Sequence, residues 1–205
     1  MARHGLRVRG FTLIELVVTM GVLALLVVLA VPNLATWMQS ARVRTSAEFI
    51  ENGLRQAQAE AIKQNREVAF ILTTSAANAT TFPTPTTGAT GTYWYAVTVP
   101  WTIANAAFGA KTFVATGPTS TDSSQVTVTG PATICFSSYG RLTAISSDTS
   151  ATPVTCGAGA SATYAVAPTS ANANALKLNV TVSAAGQVRL CNPAKLLING
   201  FPDGC

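Results

Sequence analysis

With 205 residues, 10% of them charged against about a quarter in an ordinary soluble chain, the sequence has room for one compact head beside a membrane helix and hardly for two. Its formal charge of +5 rests largely on Arg3, Arg7 and Arg9; without them +2 remains, so bulk charge makes no case for nucleic acid. The cysteines, Cys135, Cys156, Cys191 and Cys205, form no C-x-x-C, and the only histidine is His4, which removes the usual zinc patterns and leaves no metal or cofactor expected.

Met1 to Gly10 carries three arginines and no acid, and hydrophobicity then begins abruptly at Phe11. From there to Val31 the side chains are almost all aliphatic apart from Thr12, Thr19, Gly21 and Glu15, and about 20 apolar residues cross a bilayer. Positive charge stays cytoplasmic, so the leader is expected inside and everything after Pro32 outside, a single-pass topology at the inner membrane with the head in the periplasm. A carboxylate in such a span costs about 2.5–3.5 kcal/mol if central and unpaired, and calls for a partner. A secretory signal peptide, with Val28-Leu29-Ala30 as its small-residue site, and a plain membrane anchor both leave Glu15 without a purpose.

Pro32 lacks a donor and crowds the preceding turn, which predicts a kink after which the helix resumes. Val43, Ala47, Ile50, Leu54, Ala57 and Ala61 then recur in steps of four and three and draw one stripe, to be buried against a sheet, with Arg42, Arg44, Glu48, Glu51, Arg55, Glu60 and Lys63 mostly off it as a solvated face. A helix from Phe11 to Gln64 would be about 80 Å long at 1.5 Å per residue. Asn65 is a plausible stop. The division expected is a leader over 1–10, a hydrophobic helix over 11–33, and a head over 34–205 that includes the amphipathic half of the helix.

Glu67 to Thr73, Tyr93 to Val99, Lys111 to Ala115, Gln125 to Thr129, Ala132 to Ser137, Leu176 to Val182 and Val188 to Cys191 cluster β-formers between turn residues, which predicts strands. Ser75 to Thr92 and the Ala-, Ser- and Thr-rich stretch Ser146 to Asn174 read as exposed loops. Tyr93, Trp94, Tyr95 and Trp101 read as packing residues before they read as a stacking platform. All four cysteines lie beyond the membrane segment, which favours two disulfides in an oxidising compartment over buried thiols. Of the three connectivities, Cys135–Cys156 and Cys191–Cys205 are favoured, since each closes a loop rich in turn residues. No adjacent acid pair or nucleophile motif stands out, and an enzyme is not expected.

Gly10-Phe11-Thr12-Leu13-Ile14-Glu15-Leu16 resembles the class III signal of type IV prepilins and type II secretion pseudopilins. That resemblance implies cleavage between Gly10 and Phe11 by a prepilin peptidase and N-methylation of Phe11. It also implies a role in subunit assembly for Glu15, which would meet the Phe11 amine of an adjacent subunit, each charge relieving the other in low dielectric. Further along, Leu54 to Val68, Ile134 to Arg141 and Val182 to Pro193 resemble, in order, segments of the GspH/FimT group of minor pilins. The fold so implied is α+β, the type IV pilin fold: a long N-terminal helix, half membrane-spanning and half amphipathic, packed on the antiparallel β-sheet of a C-terminal head.

The group implies a minor pilin in the priming or tip complex of a type IV pilus. The alternatives are a minor pseudopilin of type II secretion and a DNA-binding pilin of natural transformation. Partners would be other minor and major pilins or pseudopilins, the peptidase, the inner-membrane assembly platform and, before assembly, lipid. DNA-binding members carry a G-R-x-R element that here reads Gly186-Gln187-Val188-Arg189, one arginine short, so Gln187 and Arg189, with Lys177 and Lys195 as supplements, are the candidate DNA contacts.

Overall fold

The computed structural model describes residues 11–78, 80–83, 91–103, 106–108, 110–120, 125–144, 154–157, 159–170 and 175–205, with the side chains of 29–33 and 101–108 outside the description. The chain forms two compact units, Met1–Met38 and Gln39–Cys205.

Helix α1 (Leu13–Gln64) begins where Thr12 turns its hydroxyl back to accept the Glu15 N–H at 3.3 Å, an N-cap that serves one of the four donors a helix start leaves unpaired. It ends on Asn65, whose φ of 50° lets the Asn65 and Arg66 N–H groups donate to Ile62 O and Ala61 O, at 3.2 and 3.1 Å. This paired return is the Schellman stop, and asparagine tolerates the left-handed conformation it needs.

In the head, the stripe Val43, Ala47, Ile50, Leu54, Ala57 and Ala61 is wholly buried, as its spacing predicts. The strands that follow are β1 (Val68–Thr73), β2 (Tyr93–Thr98), β3 (Trp101–Ile103), β4 (Ala106–Phe108), β5 (Phe113–Pro118), β6 (Val126–Thr129), β7 (Thr133–Phe136), β8 (Leu142–Thr143), β9 (Ala162–Pro168), β10 (Leu178–Val182) and β11 (Val188–Cys191). They make one antiparallel sheet in the order β5-β2-β1-β7-β8, a second in the order β11-β10-β9-β6, and the hairpin β3-β4.

Strand β1 is central and buried on both faces. Its alternation sends Val68, Phe70 and Leu72 to the helix side and Ala69 and Ile71 to a second cluster with Tyr95, Val97, Val99, Val154 and the Cys135–Cys156 disulfide. The second sheet adds Val128, Tyr164, Val166, Val180 and Val182 to the helix-side core, so the helical stripe is covered by two sheets where one was expected. Phe70 joins them, stacked on Trp94 at 5.3 Å and edge-on to Tyr164 at 5.8 Å.

Close approach of helix and sheet depends on Gly53. A Cβ there would lie 2.7 Å from the Trp94 ring, and one on Gly117 would lie 3.0 Å from the same ring, so Trp94 occupies a slot between two glycines. That explains a glycine in a helix interior, where it costs about 1 kcal/mol relative to alanine. Trp94 and Tyr95 are core residues, and the Tyr95 hydroxyl donates to Pro83 O at 2.7 Å while burial pushes its pKa up to about 12. The side chain of Trp101 lies outside the described residues.

Three strand expectations need correction. Strand β9 lies within Ser146 to Asn174, read as loop; its inward residues are Ala162, Tyr164 and Val166, and alanine carries little β signal. The two-residue β8 and the hairpin β3-β4 were not expected. Strand β5 begins at Phe113 and runs on to Pro118, past the limit expected at Ala115.

Candidate functional site

Around the amino-terminal motif, Phe11 is 84% exposed, Ile14 70% and Leu23 65%, and every residue from Phe11 to Val28 is exposed. Aliphatic side chains form this helix readily, and among the described residues of the first unit none covers them. Glu15, the one charged residue of the stretch, sits in the first turn of α1, where a carboxylate is favoured by the helix dipole. Among the described residues no helix is long and apolar enough to cross a membrane; the stretch with described side chains, Leu13 to Val28, is itself shorter than the roughly 20 residues a span takes. Gly10, and with it one side of the expected cleavage point, lies outside the described residues, as does the side chain of Pro32 where a kink was expected.

A second constellation joins the three segments that carry the resemblance. Gln58, on α1, donates through Nε2 to Gly140 O at 2.7 Å and Gly186 O at 2.8 Å. Gly140 ends the turn after β7 and Gly186 the turn between β10 and β11, with φ of 73° and 88°. A Cβ on Gly186 would collide with the carbonyl of Gly140, so this contact between turns requires glycine. Nothing in the helical pattern distinguishes Gln58 from its solvated neighbours.

The carboxy-terminal segment is tied back on itself. Cys191 and Cys205 are bonded with their Cα atoms 5.1 Å apart, and Asn192 and Gly204 form a parallel bridge. The Arg189 guanidinium donates to Pro202 O at 2.9 Å and Gly204 O at 3.1 Å. Lys195 pairs with Asp203 at 2.6 Å, holding that carboxyl below its ordinary pKa, and lies 5.7 Å from the centre of the Phe201 ring. Two of the four candidate DNA contacts thus hold this loop. The other two are exposed and separated: Lys177 follows Leu176, whose N–H donates to Ser40 Oγ, while Gln187 follows Gly186 at the Gln58 end of β10.

A groove of about 270 Å³ between β7, β8 and the start of β9 is lined by Ile134, Leu142, Ala162 and the disulfide-bonded Cys135, with no titratable side chain among the described residues. It offers no general acid or base.

A family described as type II transport protein GspH matches residues 46–186, and a prokaryotic N-terminal methylation motif matches residues 6–31. No curated protein matches the chain. Among solved structures, the type IV minor pilin FimU of Pseudomonas aeruginosa (strain PAO1) in one crystal form is 14% identical, covers 78% of this chain and 95% of its own, and superposes with a TM-score of 0.48. Its other crystal form gives 15%, 74%, 94% and 0.45. The minor pseudopilin EpsH from the type 2 secretion system of Vibrio cholerae is 12% identical, covers 75% of this chain and 99% of its own, and gives 0.44. At these scores the likenesses carry no weight of their own. The match over 46–186 runs through more than half of the sequence, from the buried helical stripe to the Gly186 turn, and the chain belongs to the GspH family.

Proposed function

We propose that this chain is a minor pilin of a type IV pilus, made as a precursor, held in the inner membrane with its head in the periplasm, and then drawn into the priming or tip complex of the fibre. The observation that carries the reading is the exposed apolar helix surface from Phe11 to Val28, which lies within the matched methylation motif and has Glu15 as its one charge. Such a surface is unfavourable in water, and it is satisfied first by lipid and later by the helices of neighbouring subunits. Cleavage after Gly10 by a prepilin peptidase gives Phe11 a new amine, which is methylated. In the fibre that amine neutralises the Glu15 carboxylate of an adjacent subunit. Pro32 kinks the helix before the head. The subunit makes no bond, needs no cofactor, and acts through contacts with other pilins and the assembly platform.

Mass spectrometry of the membrane-extracted protein tests this directly. The expected amino terminus is N-methylated Phe11; a terminus at Val31 would replace the reading with a secretory signal. A minor pseudopilin of a type II secretion system is the second reading, and the GspH match favours it as much as the first. Deleting the gene distinguishes them, with loss of surface pili expected for the first and loss of secreted protein for the second. DNA capture gains no support, because Arg189 and Lys195 are committed to the carboxy-terminal loop.

A further inference from the structure

We infer that the disulfide-closed carboxy-terminal loop is a membrane-surface contact, through which the head rests on an anionic phospholipid bilayer before assembly. The inference rests on the reading of the chain as an inner-membrane precursor. Within this loop Leu196 is 49% exposed, Leu197 43%, Ile198 89% and Phe201 46%. Single exposed apolar side chains are ordinary, but four large ones within six residues form a patch that calls for an occupant. The backbone beneath is fixed by Cys191–Cys205, by Arg189 bonded to Pro202 O and Gly204 O, and by the Asn192–Gly204 bridge, so the apolar side chains are presented from a braced platform.

The position of the loop selects the occupant. Leu176, just before β10, bonds Ser40 near the start of the head, and Gly186, just after it, bonds Gln58 further along α1, so β10 runs the same way as the helix. Strand β11 returns antiparallel, with Cys191 opposite Asn179, and delivers the loop to the Ser40 end. That is the end of the head where the chain arrives from the apolar segment, and the tether keeps it close to the bilayer. The same end carries Arg42 and Arg44 on α1 and Lys177 before β10, whereas Lys195 within the loop is offset by its pair with Asp203. Apolar side chains beside lysines and arginines are the composition that settles into the headgroup region of anionic membranes.

The test is photo-cross-linking of the full chain in vesicles of phosphatidylethanolamine and phosphatidylglycerol, with p-benzoylphenylalanine replacing one exposed residue at a time. Ile198→p-benzoylphenylalanine should yield lipid adducts about tenfold over Tyr139→p-benzoylphenylalanine, the ratio that withdrawing one large side chain from water sustains. Tyr139 is 85% exposed beside Gly140, at the Gln58 end. Val22→p-benzoylphenylalanine, within the apolar segment, reports on the membrane reading itself. Lipid adducts at Val22 with none above the Tyr139 level at Ile198, or with protein adducts there instead, would overturn the inference and leave that reading standing. Absence of lipid adducts at Val22 would overturn both.

Discussion

The stretches Leu13 to Val28 and Val43 to Ala61 belong to one helix and are both rich in aliphatic side chains, yet Leu23 is 65% exposed and Leu54 is fully buried. The second stretch is amphipathic, and its stripe finds cover within the chain, under two sheets. The first is apolar all round, which no single head could cover, and so has to be completed by something outside the chain. Stability of the head and fitness for assembly are therefore written into different turns of the same helix.

Paired truncations give the largest contrast. Leu54→Ala should cost the head about 2–5 kcal/mol, whereas Leu23→Ala should leave it within about 0.5 kcal/mol of the parent, read as denaturant midpoints of the detergent-solubilised chain. Comparable losses from both would erase the distinction. Next comes Gln58→Ala, which strands the carbonyls of Gly140 and Gly186 and should cost about 1–3 kcal/mol. Smaller and of opposite sign is Tyr164→Phe. Among the described residues the Tyr164 hydroxyl is buried without a hydrogen-bond partner and burial raises its pKa, so removing it should stabilise the head by about 1 kcal/mol, seen as a higher melting temperature.

The smallest effect concerns pH. Burial raises the pKa of the half-buried Glu67 carboxyl above its ordinary value of 4.5. The folded state then holds the proton more tightly than the unfolded one. This contribution to stability is complete below the ordinary pKa and is lost as pH rises through the folded value. Glu67→Gln should remove that decline, so its melting temperature relative to the parent rises between pH 4 and pH 7; a parallel pair of curves would contradict the assignment.

What was legible in the sequence follows the same division. The stripe from Val43 to Ala61 was readable because one buried face imposes a period, and the two cysteine pairs that the structure joins were readable because each closes a short turn-rich loop. Strand β9 escaped because the sheet around it accepts alanine at an inward position, where shape counts and intrinsic preference does not. With it went the second sheet. Gln58 escaped for a different reason: its partners are backbone carbonyls 82 and 128 residues away, and no local pattern encodes a backbone acceptor. The carboxy-terminal loop was hidden by its own composition, since Leu196-Leu197-Ile198 has the look of core and is exposed. At the amino terminus the motif itself was plain, and the between-subunit role proposed for it is one that a single chain's contacts do not contain.

The central claim is that Glu15 acts between subunits and contributes nothing to the head. Its most direct test is recovery of Glu15→Ala in sheared fibres, scored beside the melting temperature of the same protein. The expected result is loss from the fibres by at least about tenfold, as one unpaired Phe11 amine in low dielectric demands, with the melting temperature unchanged. Undiminished recovery in the fibres would contradict the account.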